Sequence, residues 1–368
     1  MNKHKLNELK QWMETNKVDC AYISDPGHIA YFSGFESDPH ERVLALFIPL
    51  EAEPFLFAPA LEVEDAQNSS WAYDVFGYLD SENPWKLIAE HLTKRFSGAP
   101  VTVAVEKGSL TVDRLEFMQE FFPNTDFSKD LTPLIQRLQL LKTEEEIKKL
   151  YDAGDWADVA FETGFKAIHE GATEQEIIAE IEYELKKRGV SQMSFATMVL
   201  AGKNAASPHG EPGLTKIQKH DLVLFDLGVI WNGYNSDATR TVAFKEPSEF
   251  DRKIHAITLE AQLAAQDFVR PGVTAAEVDK VARDVISSYG YGEYFNHRLG
   301  HGIGTTVHEW PSIVEGNDLV IEEGMCFSIE PGIYIPEKVG VRVEDCIHVT
   351  KTGCDSFTKT SKELLIFD

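Results

Sequence analysis

FDLGVIWNGYNSDATRT, residues 225–241, reads as a β-hairpin that carries two carboxylates where a hairpin ordinarily carries apolar side chains. Asn232-Gly233 is the strongest short-range hairpin signal, because a type I′ turn needs positive φ at both central residues. With those two residues as the whole loop, Trp231 pairs with Tyr234, Gly228 stands opposite Asp237, and Asp226 stands opposite Thr239. Cross-strand partners, and residues two apart on a strand, point to one face. Asp226 and Asp237 are therefore expected as diagonal neighbours roughly 7 Å apart at the backbone. Gly228 is expected to leave open space beside Asp237. A carboxylate in an apolar strand is costly unless a positive charge pairs with it, and few lysines or arginines stand close in sequence. Two readings stand for the hairpin alone: a cation site, or an Asp237 that caps a turn. A one-residue bulge would turn one aspartate to the opposite face.

The charge balance narrows the partners. The 368 residues carry a formal net charge of −25, which argues against non-specific nucleic-acid binding and against docking on anionic membranes. An apolar fraction of 43% and a charged fraction of 26% are those of a globular protein, and the length suits two domains. No run of about 18 apolar residues predicts a transmembrane helix. The opening MNKHKLNELKQWMETNK lacks the apolar core of a signal peptide; its Leu6, Leu9, Trp12 and Met13 recur at helical spacing. Cys20, Cys326, Cys346 and Cys354 form no zinc spacing. Buried reduced thiols and a cytoplasmic location are expected.

Residues 1–134 alternate helix and strand signals. DCAYISD, RVLALFIPL, EPFLFAP and VTVAVEKG read as strands, PWKLIAEHLTKRF as a helix, and Asp25-Pro26-Gly27 as a turn. That order describes an α/β domain with no phosphate loop. Residues 135–368 open on a long helix with Thr143 as N-cap and Glu146 three residues on, followed by a second helix closing on Gly189. Strands and hairpins follow, then helices at about 249–269 and 275–288, then strands to the end. Helices on a mostly antiparallel curved sheet, an α+β domain, fit this order.

The last third adds candidate ligands. HRLGHGIGTTVHEWP holds His297, His301 and His308 among glycines, and for any one histidine a satisfied turn residue is the plainer reading. Glu330 ends the apolar run MCFSIE before a Pro-Gly turn, and Glu344 interrupts GVRVEDCIHV. Read as one strand, the latter puts Arg342 and Glu344 on one face and Val341 and Val343 on the other. Asp226, Asp237, Glu330 and Glu344 together would place four negative charges in strand interiors, which repulsion forbids without cations. One histidine with four carboxylates suits two divalent metals such as Mn²⁺ or Co²⁺ better than a lone structural zinc.

The segments DLG…NSDATRT, GHGIG…VHEWP, IEPGIYIP and GVRVED, in this order and spacing, resemble the M24 metallopeptidase family with the pita-bread fold. Its members include prolidases (Xaa-Pro dipeptidases), aminopeptidase P and methionine aminopeptidases. More loosely, residues 1–134 resemble the creatinase/prolidase N-terminal domain. The resemblance implies two divalent metal ions per subunit, Mn or Co with Zn as an alternative, on Asp226, Asp237, His301, Glu330 and Glu344. It also implies His209 and His308 near the substrate, Phe195 on a strand lining the specificity pocket, and Arg342 beside the bridging glutamate. By the same resemblance the chain is a homodimer.

The chemistry so implied is attack by a metal-bridging hydroxide on an Xaa-Pro bond, with His308 polarising the carbonyl. Glu330 passes the proton to the departing nitrogen, and His209 steadies the gem-diolate or the proline end. The substrate is an Xaa-Pro dipeptide, or a short N-terminal Xaa-Pro peptide if the chain follows aminopeptidase P. A non-catalytic metal-binding protein of the same fold is the third reading. Prolidases of this type offer an arginine directly after HEWP for the dipeptide's carboxylate, whereas this chain has Ser312 there.

Overall fold

The structure, a computed structural model, describes residues 3–207 and 210–368. The chain divides into two compact units, Met1–Leu138 and Gln139–Asp368.

The first unit opens on α1 (Lys3–Asn16), which buries Leu6, Leu9 and Met13, the stripe its spacing predicts. The strands β1 (Cys20–Ile23), β2 (Ala45–Pro49), β3 (Phe55–Pro59), β4 (Asp74–Tyr78) and β5 (Val103–Val105) form one mixed sheet of order β4-β3-β2-β1-β5. Alternation along β1 sends Ala21 and Ile23 into one apolar cluster and Cys20 and Tyr22 into the other, so both sheet faces are covered. The remaining helices are α2 (Pro26–Ser33), α3 (Val63–Asn68), α4 (Pro84–Phe96), α5 (Val112–Phe121) and α6 (Thr132–Leu140). The turn expected at Asp25-Pro26-Gly27 is instead the start of α2. Asp25 caps it by accepting from the His28 amide at 3.1 Å, and Pro26 takes the first helical position, where its missing N–H is no loss.

In the second unit α7 (Glu144–Lys166) and α8 (Glu174–Lys187) each begin with a capping box, Thr143 with Glu146 and Thr173 with Glu176. Next come β6 (Gln192–Met193), β7 (Met198–Ala201), β8 (Leu222–Leu227), β9 (Val229–Trp231), β10 (Tyr234–Asn235) and β11 (Ala238–Phe244). The helices α9 (Glu249–Phe268) and α10 (Ala275–Ser288) follow. The chain then runs through β12 (Gly300–Gly302), β13 (Glu309–Ile313), β14 (Cys326–Ile329), β15 (Gly332–Ile335) and β16 (Val339–Arg342). It ends with β17 (Glu344–Val349), β18 (Cys354–Ser356) and β19 (Ile366–Phe367). A nine-stranded sheet runs β13-β12-β14-β17-β11-β8-β7, with β18 on β17 and β19 on β11. Its pairs are antiparallel except β11 with β19. One apolar cluster joins α7 and α8 to this sheet and another joins α9 and α10 to it.

The hairpin has the expected register, with Trp231 on Tyr234 and Asp226 on Thr239, and Asn232 and Gly233 both at positive φ. It is not one ribbon, however. β8 and β11 belong to the nine-stranded sheet, while β9 and β10 join β6 in a three-stranded one. The chain crosses between sheets at Gly228, where a Cβ would lie 1.9 Å from the Ser236 carbonyl oxygen. The space expected beside Gly228 is thus taken by backbone.

Two further expectations change for the same reason. GVRVEDCIHV is two strands, broken at Val343, whose buried side chain and amide, donating to the Pro331 carbonyl at 3.4 Å, mark the passage between sheets. Phe195 lies not on a strand but in the bend between β6 and β7, half-buried. Ser194 holds that bend by donating from its amide to the Gly228 carbonyl at 2.9 Å and from its hydroxyl to the Ser236 carbonyl at 2.8 Å. All four cysteines are free. No helix among the described residues is long and apolar enough to cross a membrane.

Candidate metal centre

Four sequence-distant strands of the second unit converge on one buried cluster. β12 supplies His301, Glu330 directly follows β14, β17 supplies Glu344, and the residue entering β11 is Asp237. His301 Nε2 lies 3.3 Å from Glu330 Oε1 and 3.5 Å from Asp237 Oδ2. Its Nδ1 faces the Gly302 carbonyl oxygen at 3.1 Å, which can only accept, so Nδ1 carries the proton. Burial, with His308 next in weight, pushes the ring down to about 3. A nitrogen lone pair therefore faces two carboxylates.

The carboxylates are perturbed in the opposite direction. Burial pushes Glu330 up to about 7. Asp237 is raised well above the usual range by burial and by Glu344, Asp226 and Glu330; Glu344 is raised by burial, Glu330 and Asp226. One hydroxyl orders them further. Thr239 Oγ1 donates to Glu344 Oε2 at 2.6 Å and accepts from Arg342 Nε at 3.0 Å. Ser328 Oγ accepts from the His301 amide and donates to Glu330 Oε1, each at 3.0 Å.

Part of the positive charge that the hairpin lacks locally comes from Arg342. Its guanidinium is hydrogen-bonded to Asp226 Oδ2 and donates to Tyr334 Oη at 2.8 Å. Burial works against this charge, and Tyr334, Asp226, Glu344 and Glu330 hold it. The expectation that cations rather than an arginine answer both aspartates is corrected to this extent. The Arg342 guanidinium faces the four carboxylates with Arg298 also acting on Glu330, and Asp226 Oδ1 is buried with no hydrogen-bond partner among the described residues.

The donor set fits divalent cations. His301, Glu330 and Glu344 bring ligand atoms within 4.8 Å of one another, as do Asp237, Glu344 and Cys346, so Glu344 is common to both groups. The carboxylate and imidazole donors suit divalent cations, whereas the Cys346 sulfur is a soft donor whose thiol burial pushes upward.

Around this cluster the His308 ring stands perpendicular to that of His301, with centroids 4.3 Å apart. Ser312 is the ladder partner of His301, and its hydroxyl accepts from Arg298 Nη1 at 3.0 Å. Phe195 is half-buried in its bend. His209 lies outside the described residues.

The sequence pattern of metallopeptidase family M24 matches residues 148–351, more than half of the chain, and that of the creatinase/prolidase N-terminal domain matches residues 5–140. The chain belongs to metallopeptidase family M24. It is 55% identical over 362 residues to the Xaa-Pro dipeptidase of Lactobacillus helveticus, covering 98% of each chain. The prolidase of Pyrococcus horikoshii OT3 superposes with a TM-score of 0.91 at 36% identity, over 99% of this chain and 100% of that one. The X-Pro aminopeptidase of Thermotoga maritima MSB8 superposes at 0.86 and 29% identity, over 95% and 98%. This M24 metallopeptidase thus has the two-part architecture of those enzymes, a creatinase-type first domain and a pita-bread second one.

Several residues at the M24 centre have little signal in the sequence. Thr239 and Cys346 could have been drawn from alternation, since Thr239 opposes Asp226 and Cys346 is two residues from Glu344 on one strand. Tyr334 and Arg298 reach the centre only through side-chain length and chain crossing.

Proposed function

We propose that this M24 metallopeptidase is a dinuclear-metal-dependent Xaa-Pro dipeptidase. The observation that carries the reading is the buried meeting of His301 Nε2 with Glu330 and Asp237 beside Glu344. Asp226, Asp237, His301, Glu330 and Glu344 would hold two divalent cations, Mn²⁺ or Co²⁺ before Zn²⁺. Such ions, when bound, acidify a water and polarise the scissile carbonyl. Glu330 would accept a proton from the water and return it to the departing proline nitrogen. His308 donates to the carbonyl oxygen, and His209 serves the proline end. Phe195 lines the pocket for a substrate side chain. Arg342 keeps Asp226 and, through Thr239, Glu344 in fixed orientation.

The preference for a dipeptide rests on Arg298. A cation at position 312 is absent, but the Arg298 guanidinium is bonded to Ser312 and half-buried. It is therefore available to the carboxylate that ends a dipeptide. The names of the Lactobacillus helveticus and Pyrococcus horikoshii relatives agree with this reading. The serine at 312 and the likeness to the Thermotoga maritima enzyme support a second reading, aminopeptidase P acting on longer peptides.

Hydrolysis of the Xaa–Pro bond in Xaa-Pro, releasing proline, but not in Xaa-Pro-Xaa, where it would release Pro-Xaa, by the Mn²⁺- or Co²⁺-loaded protein is the expected result. Equal cleavage of both would overturn the dipeptidase reading in favour of aminopeptidase P. Arg298→Met should raise KM for the dipeptide on the order of ten- to hundred-fold, the loss of a charge-assisted hydrogen bond. Asp237→Asn and Glu344→Gln should lose bound metal and activity together. A variant that stayed active after chelation would sink the metal scheme. The reading also takes the chain as a homodimer, which light scattering checks.

A further inference from the structure

The loop from Gly304 to His308 joins β12 to β13 and carries the exposed His308, yet it has no regular structure of its own. Its order comes from the residue that ends it. Glu309 is half-buried overall, but its side chain is only 2% exposed. An unpaired buried carboxylate would be strongly destabilising. Glu309 Oε2 accepts from Lys142 Nζ at 2.7 Å, and the Lys142 side chain is itself only 3% exposed. The same Nζ donates to the Gln139 carbonyl at 2.7 Å. Burial opposes the Lys142 charge, and the Glu309 carboxylate holds it above its usual value.

The other carboxylate oxygen turns back into the loop. Glu309 Oε1 accepts from the Thr306 amide at 3.2 Å and from Thr305 Oγ1 at 3.3 Å. Gly304 makes room for it, since a Cβ there would stand 2.5 Å from Oε1. The Gly304 carbonyl is fixed in turn, accepting from the Asn235 amide at 2.9 Å and from Asn235 Nδ2 at 3.1 Å. Asn235 is two residues before Asp237. The loop is thus wrapped around one buried carboxylate, with the metal-facing hairpin at one end and His308 adjoining that carboxylate at the other.

We propose that Lys142 and Glu309 form a buried positioning pair that sets the placement of His308 over the scissile carbonyl. The inference rests on the role given to His308 in the proposed function. Neither residue is among the proposed metal ligands. Their effect runs through the loop, and a misplacement of about 1 Å at a reacting group can cost on the order of 100-fold in rate.

The test is a double-mutant cycle on the metal-loaded full chain with an Xaa-Pro dipeptide, reading kcat, KM and metal content. Glu309→Gln should lower kcat ten- to hundred-fold with KM and metal stoichiometry little changed. Lys142→Met leaves a buried carboxylate alone and can cost the fold, so Lys142→Met/Glu309→Gln, which removes both charges, is measured beside it. In a His308→Ala background, Glu309→Gln should cost no further rate, because the residue it acts through is gone. Losses that multiply in that background overturn the proposal and leave a general structural role. A slow His308→Ala with a full-rate Glu309→Gln and a full-rate double variant overturns the positioning pair alone. A full-rate His308→Ala overturns the role of His308 and the pair with it.

Discussion

Arg342 stands two residues before Glu344, yet its guanidinium is bonded to Asp226, 116 residues earlier. Alternation along the strand predicts the face it points to; the chain crossing at Gly228 decides what it meets there. Asp226, Glu330 and Glu344 were legible because each interrupts or ends an apolar run, so its type contradicts its local environment; Asp237 followed from the hairpin register, and His301, among glycines, from the family resemblance alone. Arg298 and Cys346 interrupt nothing and left no such mark. His255, on α9, is a buried residue of the same unmarked kind, pushed down to about 4 by burial against a hydrogen bond to the Thr241 backbone. Its folded form is neutral where the unfolded chain, near 6.5, binds a proton. Stability from this group is therefore whole above about pH 6.5 and falls as pH drops toward 4, by roughly 3 kcal/mol at most at 1.36 kcal/mol per pKa unit. Urea unfolding of the wild type and of His255→Asn across that window should show the wild type losing more; parallel curves would contradict the assignment.

At the scale of elements, the hairpin was read correctly in register and incorrectly as a single ribbon. Periodicity reports which residues pair, but a sheet-to-sheet crossing leaves no period, only a glycine and small polar residues. Gly228→Ala should destabilise the protein by at least about 1–3 kcal/mol, the usual cost of overpacking, because the added methyl meets backbone that cannot rotate away. Gly213→Ala, where a Cβ meets nothing within 4 Å, should stay within about 0.5 kcal/mol and serves as the control. Equal denaturation midpoints for the two variants would show that the crossing is not tight. The helix starts were the most legible elements. Thr173 accepts from the Glu176 amide at 3.2 Å, and Thr173→Ala should cost about 1 kcal/mol.

For the molecule as a whole, the raised carboxylates mean that the cation-free centre keeps protons that bound metal would displace. Metal that binds only the folded form should stabilise it by RT ln(1 + [L]/Kd), about 2.7 kcal/mol at a hundred times Kd. Calorimetry with Mn²⁺ against chelator should show the transition of the unit Gln139–Asp368 moving up with metal, and Asp237→Asn should remove the shift. A transition indifferent to metal in the wild type would count against the centre. That unit holds every proposed ligand, while the first unit contributes none.

The order of amphipathic helices and apolar strands, the caps, the hairpin register and the out-of-place carboxylates follow from the sequence by itself, because each depends on neighbours within a few residues or on a short periodicity. The tertiary structure alone decided that Ser236 fills the place beside Gly228, that Arg342 answers Asp226, that Arg298 reaches Ser312, and that Lys142 closes on Glu309. Those contacts join residues between 8 and 167 positions apart. Their partners are chosen by where strands cross and how far long side chains reach, and neither is written in any local pattern.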